Sequence, residues 1–328
     1  MYMRRWIYPV LIGLALLISG FTMAEILTFR QSPERIVRVS IGDSARTIGN
    51  KLQEAGIIKH AAAFRTLAKL RGADTALKPG TYIFGGRTNL WQTVSRLRDG
   101  HSENIRITFP EGLSLYKTLR RIEDSGLADY NSLYAAATDT SLIRRLTGMN
   151  LSSLEGFLYP ETYLFPVSSP PDSIMSIMCA EFFRRIASQG VSISSPEAFY
   201  RDLILASIVE KEAGKADERE VIAGVFTNRI RIGMPLQSCP TVDYILERRG
   251  IKREVLTNND TAIRSPYNTY LNPGLPPTPI SNPRVESLIA AQNPARHDYL
   301  YFFSNRQGQN VFSSSYTEHQ NLQRKLGL

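Results

Sequence analysis

The chain of 328 residues is 43% hydrophobic and 21% charged, a balance that suits a globular protein and leaves room for about two or three domains. With two cysteines, Cys179 and Cys239, it cannot build a disulfide framework or a cysteine zinc cluster, and its four histidines show no metal-ligand spacing, so neither metal nor cofactor is expected. The net charge of +9 points to an anionic surface or polymer as partner, although a generally basic surface without a specific partner would carry the same charge.

Met1-Tyr2-Met3-Arg4-Arg5 precedes an uncharged apolar run from Trp6 to Ala24, which Glu25 ends and Ile26, Leu27 and Phe29 extend. The run approaches the roughly 20 residues that cross a bilayer. This predicts a single-pass anchor over residues 6–29, with Arg4 and Arg5 holding residues 1–5 in the cytoplasm. The competing reading is a signal peptide cleaved at Thr22-Met23-Ala24, but the run exceeds a usual signal core of roughly 7 to 15 residues. Either way the rest of the chain is extracytoplasmic. Export argues against nucleic acid as a partner and favours membrane headgroups or the carboxylates of cell-wall peptides. Export also permits Cys179 and Cys239 to pair, which spacing alone leaves open.

Over residues 36–100 the pattern predicts a strand (Ile36 to Ile41), a helix (Ala45 to Ala55), a second helix (Ala61 to Arg71), a returning strand after Lys78-Pro79-Gly80, and a helix from Asn89 to Arg98. A weak repeat follows over residues 101–141. Ile107 answers Val37, Gly112 answers Gly42, Ser114 answers Ser44, Ile122 answers Leu52 and Gly126 answers Gly56. Its strand (Ile105 to Phe109) leads into helices from Ser114 to Ser125 and near Asn131 to Ala137. The first copy resembles a LysM-like module, a small fold that binds glycans containing N-acetylglucosamine.

Residues 142–328 are denser in chemistry. Leu154-Glu155-Gly156-Phe157-Leu158-Tyr159-Pro160-Glu161-Thr162-Tyr163 is too broken by proline to be one helix; it reads as a cleft wall on which Tyr159 and Tyr163 stack on sugars, or as aromatics packing a connecting loop. Helices are expected over Asp172 to Gln189, Pro196 to Gly214 and Asp217 to Ile232, with a short one ending near Gly250. The segments around Gln237-Ser238-Cys239-Pro240-Thr241, Tyr267-Asn268-Thr269-Tyr270 and Gly274-Leu275-Pro276-Pro277 form stiff loops bearing amides and hydroxyls, suited to sugar recognition or to rigid surface connection. A helix from Val285 to Ala291 and a hairpin of Tyr299 to Ser304 with Asn310 to Ser313 close the chain, the hairpin with a packing role.

The most informative segment is Leu203-Ile204-Leu205-Ala206-Ser207-Ile208-Val209-Glu210-Lys211-Glu212. A carboxyl at the end of such an apolar run loses the solvation its charged form needs, which raises its pKa and fits it to donate a proton. At 100° per residue, Leu203, Ala206, Ser207, Glu210, Ala213 and Gly214 share a stripe of mostly small residues, while Leu205, Ile208, Val209 and Glu212 share a bulky one. The small stripe admits a ligand near Glu210. Glu212 is then expected to pair with Arg219 or Arg229, unless both glutamates simply end a buried helix and turn outward.

Leu205 to Glu212, Val225-Phe226-Thr227-Asn228-Arg229, Ile232-Gly233-Met234-Pro235-Leu236-Gln237-Ser238, Pro240-Thr241-Val242, Tyr267 to Tyr270 and Gly274 to Pro277 together resemble the MltG (YceG-like) family of endolytic murein transglycosylases. The resemblance covers nearly the whole chain. It implies an α+β protein made of a transmembrane helix, a LysM-like α+β subdomain over 36–100 and an α+β YceG-like catalytic domain over 101–328, with 142–328 as the catalytic core. It also implies a lyase of the inner membrane that cuts nascent glycan strands beside peptidoglycan synthases and leaves 1,6-anhydro-N-acetylmuramoyl ends. Glu210 is the implied catalytic acid/base, and Gln237, Thr241, Tyr267, Asn268 and Tyr270 are the expected glycan contacts. Cys239 departs from the pattern, since an Asp or another polar residue is expected before Pro240. A muramidase-like hydrolase would need a second carboxylate, for which Glu161, Glu212 and Asp243 are candidates. A glycan-binding scaffold without activity would need none.

Overall fold

The computed structural model describes residues 28–40, 42–100, 104–167 and 169–327. Nearly all of the expected anchor over 6–29, and the cytoplasmic tail before it, lie outside the described residues. Among the described residues no helix is long and apolar enough to cross a membrane. The chain divides into two compact units, residues 1–105 with 164–169, and residues 106–163 with 170–328.

In the first unit β1 (Arg30–Val39) and β2 (Gly80–Thr88) run antiparallel, with Val37 opposite Tyr82. The strand begins earlier than its apolar alternation suggests, because pairing continues past an irregularity between Ser32 and Arg35 to join Arg30 to Thr88. Between the strands lie α1 (Ala45–Glu54) and α2 (Ala61–Leu70), and α3 (Leu90–Asp99) follows β2. Ser44 caps α1 by accepting from the Thr47 N–H, and Asn89 forms a capping box with Gln92 on α3. Val37, Ile48, Leu52, Phe64, Tyr82 and Val94 are buried together in one core.

The division falls within β3 (Asn104–Thr108) and its partner strand β4 (Thr162–Pro166), and the rest of the chain described below belongs to the second unit. Ser114 caps α4 (Leu115–Asp124) as Ser44 caps α1, and Gly112 turns the chain before it at a φ of 68°. Next come α5 (Tyr130–Thr138) and α6 (Thr140–Thr147). The last was not expected, being a short run between Asp139 as N-cap and Gly148 as C-cap. The segment from Leu154 to Leu158 then crosses the interior: Asn282 accepts from the Gly156 and Leu158 N–H groups at 3.0 Å and donates to the Leu113 carbonyl. It is not a cleft wall. Tyr159 and Tyr163 are 6% and 7% exposed, and the Tyr163 hydroxyl donates to the Tyr159 carbonyl at 2.8 Å, so neither ring offers a face to a sugar.

Helix α7 (Pro171–Ser188) packs on α5 and α6, and α8 (Pro196–Glu212) forms the centre of the unit. Leu203 through Val209 are all buried, because α8 is enclosed by α9 (Arg219–Arg231), α10 (Cys239–Arg248) and α12 (Val285–Gln292); the one-turn α11 (Asn258–Thr261) lies between the last two in sequence. The helix expected from Asp217 starts instead as a 3-10 turn (Ala216–Glu218) before α9. β5 (Tyr301–Ser304) and β6 (Asn310–Ser313) form the expected hairpin. The closing α13 (Tyr316–Lys325) has no buried residue and hence no apolar stripe by which to foresee it.

Candidate active site

The two glutamates that end α8 have opposite surroundings. The Glu210 side chain is 4% exposed and sits in an ion cluster. One oxygen accepts from the Arg284 N–H at 3.0 Å and the Ser287 hydroxyl at 2.6 Å; the other lies 3.4 Å from the Arg284 guanidinium and 3.9 Å from that of Arg219. The buried Arg219 also donates to Ser287 at 3.1 Å. The stripe of small residues on this face admits protein rather than ligand. Ser207 accepts from the Ile280 N–H, and Ser281 donates to the Ser207 carbonyl, so the chain leading into α12 lies against α8 and closes over Glu210.

Glu212 instead lines an open cleft of about 340 Å³, with Gln237, Cys239 and Tyr270 among its neighbours and Phe302, Phe303 and Asn310 of the hairpin across from them. The Ser238 hydroxyl donates to its carboxylate at 2.6 Å. Burial pushes the Glu212 pKa up to about 6, with Ser238 opposing the shift and the charge of Asp243 adding to it. Arg229 does not pair with Glu212 directly. It donates to the carbonyls of Leu236 at 2.7 Å and Leu300 at 2.6 Å, tying the Gln237 loop and the hairpin approach to α9. The expected partnership of Glu212 with an arginine is therefore replaced by a hydroxyl, and Arg219 serves Glu210.

Gln237 is the one non-glycine described residue in the left-handed region, at a φ of 50°. That conformation costs on the order of 1 kcal/mol and persists only where surroundings hold it. Here the Gln237 N–H donates to the Thr269 carbonyl at 3.0 Å, and the Ser238 N–H donates to the Thr269 hydroxyl at 3.0 Å. The result brings the Ser238 hydroxyl to the Glu212 carboxylate and leaves Gln237 on the wall of the same cleft.

Of the expected glycan contacts, Gln237 and Tyr270 line the Glu212 cleft, and the Tyr270 hydroxyl lies 3.0 Å from the Cys239 thiol. The other three do not. Thr241 is fully buried, bonded to the Ser238 carbonyl and to Thr269. Asn268 is equally buried and donates to the carbonyls of Thr261 and Ile263, which shapes the loop that presents Tyr270. Tyr267 packs on Tyr244 and meets Thr278 at 2.9 Å. Among the candidate second carboxylates, Glu161 is ion-paired with Arg185, and Asp243 lines a neighbouring cavity. Both cysteines are free, and the buried Cys179 thiol is pushed up to about 12 by its apolar surroundings.

Several contributors were not anticipated. Ser238 reads from sequence as one hydroxyl among several. The hairpin, expected only to pack, supplies a cleft wall, fixed by Glu218, whose carboxylate accepts from the Asn310 backbone and side-chain amides at 2.8 Å. Glu155 is buried with a pKa pushed up to about 8 by desolvation, and accepts from the Leu115 N–H at 2.8 Å and the Tyr244 hydroxyl at 3.0 Å.

Residues 37–325 match the YceG-like family. The chain is 30% identical over 308 residues to a protein of Bacillus subtilis named endolytic murein transglycosylase, covering 88% of this chain and 84% of that one. It is 27% identical to a Streptococcus pneumoniae protein of the same name, covering 97% of this chain and 64% of the relative. Among solved structures, a YceG-like protein from Listeria monocytogenes superposes with a TM-score of 0.59 at 31% identity, covering 88% of this chain and 98% of that chain.

Proposed function

The chain belongs to the YceG-like family, and from that premise we propose that it is an endolytic murein transglycosylase in which Glu212, rather than Glu210, moves the proton. The observation that carries this reading is the position of Glu212 on a cleft wall with a pKa near 6, while Glu210 is enclosed by two arginines and a hydroxyl.

Protonated Glu212 donates to the glycosidic oxygen between N-acetylmuramic acid and N-acetylglucosamine, and positive charge develops at C1 of the muramoyl sugar. The resulting carboxylate then takes the proton from that sugar's own C6 hydroxyl, whose oxygen closes on C1 to give the 1,6-anhydro end. One carboxyl serves both steps, so no water has to be activated. Gln237 and Tyr270, which line the cleft, would hold acetamido and hydroxyl groups, and Phe302 and Phe303 would give apolar surface to a sugar face. Asp243 and Glu161, which a hydrolase would recruit, do not line this cleft.

The anchor over 6–29 and the LysM-like subdomain over 36–100 belong to the same reading. The first would keep the cleft near the membrane where strands emerge beside peptidoglycan synthases, and the second would hold the glycan. The test is product analysis. The full chain incubated with uncrosslinked peptidoglycan strands should release fragments ending in 1,6-anhydro-N-acetylmuramic acid; reducing ends would make it a hydrolase, and uncut strands a binding protein.

A further inference from the structure

A second cavity, of about 370 Å³, opens beside the Glu212 cleft. At two places, residues consecutive in the chain line the two cavities. Lys211 lines the second cavity and Glu212 the first; Pro240 lines the second and Cys239 the first. Consecutive Cα atoms are about 3.8 Å apart, so the two cavities lie on adjoining stretches of the same chain segments.

The charges lining the second cavity fall into two groups. Lys117 is paired with Glu247 at 2.5 Å, and Arg253 lies 3.5 Å from Asp260 outside it. Lys211, Lys252 and Asp243 have no ion pair among the described residues. Gly112 makes room for the first of these, since a Cβ there would lie 3.2 Å from the Lys211 stem. Burial holds the Asp243 carboxyl above its ordinary range, and Lys211 pulls it back. The cavity thus presents two unpaired ammonium groups and one unpaired carboxyl, the complement of a short chain that bears carboxylates and an amine.

We propose that this cavity receives the peptide carried by the lactyl group of the muramoyl sugar, with Lys211 and Lys252 meeting its carboxylates and Asp243 its amine. The proposal rests on murein as the substrate of the Glu212 cleft. It gives the enzyme a means to prefer strands whose peptides are still attached.

Binding tests it without turnover. The full chain carrying Glu212→Gln is titrated by calorimetry with a murein tetrasaccharide that bears its peptides and with the same tetrasaccharide stripped of them by an amidase. The peptide-bearing ligand should bind about tenfold more tightly, and adding Lys211→Ala or the exposed Lys252→Glu should bring the ratio to about two or less. Equal affinities in the parent, no binding of the peptide-bearing ligand, or a ratio that survives both substitutions would overturn the proposal. Cleavage by the unsubstituted chain is scored separately: a tenfold ratio without anhydro ends would remove the transglycosylase reading and leave the peptide pocket standing.

Discussion

The Ser238 hydroxyl donates to the Glu212 carboxylate at 2.6 Å, joining the last turn of α8 to the residue that precedes α10. Burial favours the neutral acid and the hydroxyl favours the charged form, and between them the pKa comes to about 6. A group that must first give a proton and then take one back works best when neither form is strongly preferred near the working pH.

In the proposed mechanism Glu212 starts the reaction protonated, so kcat/KM should fall as pH rises through about 6. Ser238→Ala removes a bond to the charged form and should move this alkaline limb upward. A pH series of strand cleavage for both proteins measures it, and an unchanged limb would separate Ser238 from the acid.

Stability should report the same proton. The Glu212 pKa is raised from 4.5 to about 6, so the native state holds the proton more tightly than the unfolded chain, and stability is lost as pH rises through that window. Glu212→Gln removes the loss and should stabilise the protein above pH 6 by up to about 2 kcal/mol in urea unfolding.

Glu155 extends this logic to the scaffold. Its pKa of about 8, against 4.5 for the free acid, makes the native state the better proton binder over that interval. The stability difference between Glu155→Gln and the parent should grow in favour of the variant as pH rises from about 4.5 to 8, by a few kcal/mol in total, and level off beyond. Chemical unfolding at several pH values reads it directly.

The Glu210 cluster predicts the reverse. Removing its charge leaves Arg219, 6% exposed, without its carboxylate partner, which in buried pairs costs about 3–5 kcal/mol. Glu210→Gln should therefore lower Tm clearly while the Glu212 cleft stays intact in the folded fraction.

Local signals in the sequence translated well into structure. Ser44, Asn89 and Ser114 each cap the helix that their position before an amphipathic run predicts, and Gly42 and Gly112 take the positive φ that their turns require. The surroundings of the site residues were not legible where they depend on distant partners. A stripe of small residues through Ala206 and Ser207 marks close approach, but periodicity does not say by what; the neighbour is the chain around Ile280 and Ser281, which brings Arg284 and Ser287 to Glu210. Thr241 and Asn268 have the same chemistry as Gln237, and only the tertiary fold decides that the first two spend their hydrogen bonds holding loops. Phe302 and Asn310 carry no sequence sign of a site, because the hairpin reaches the cleft through Glu218 and Arg229.

The most direct measurement is the yield of 1,6-anhydro-muramoyl ends from peptidoglycan strands by Glu212→Gln and Glu210→Gln, each at a temperature where circular dichroism finds it folded. Loss of the general acid should reduce the rate for Glu212→Gln by at least about a hundredfold, while Glu210→Gln retains most of its activity per folded molecule. Folded Glu210→Gln without activity, beside an active Glu212→Gln, would contradict the assignment and return the proton to Glu210.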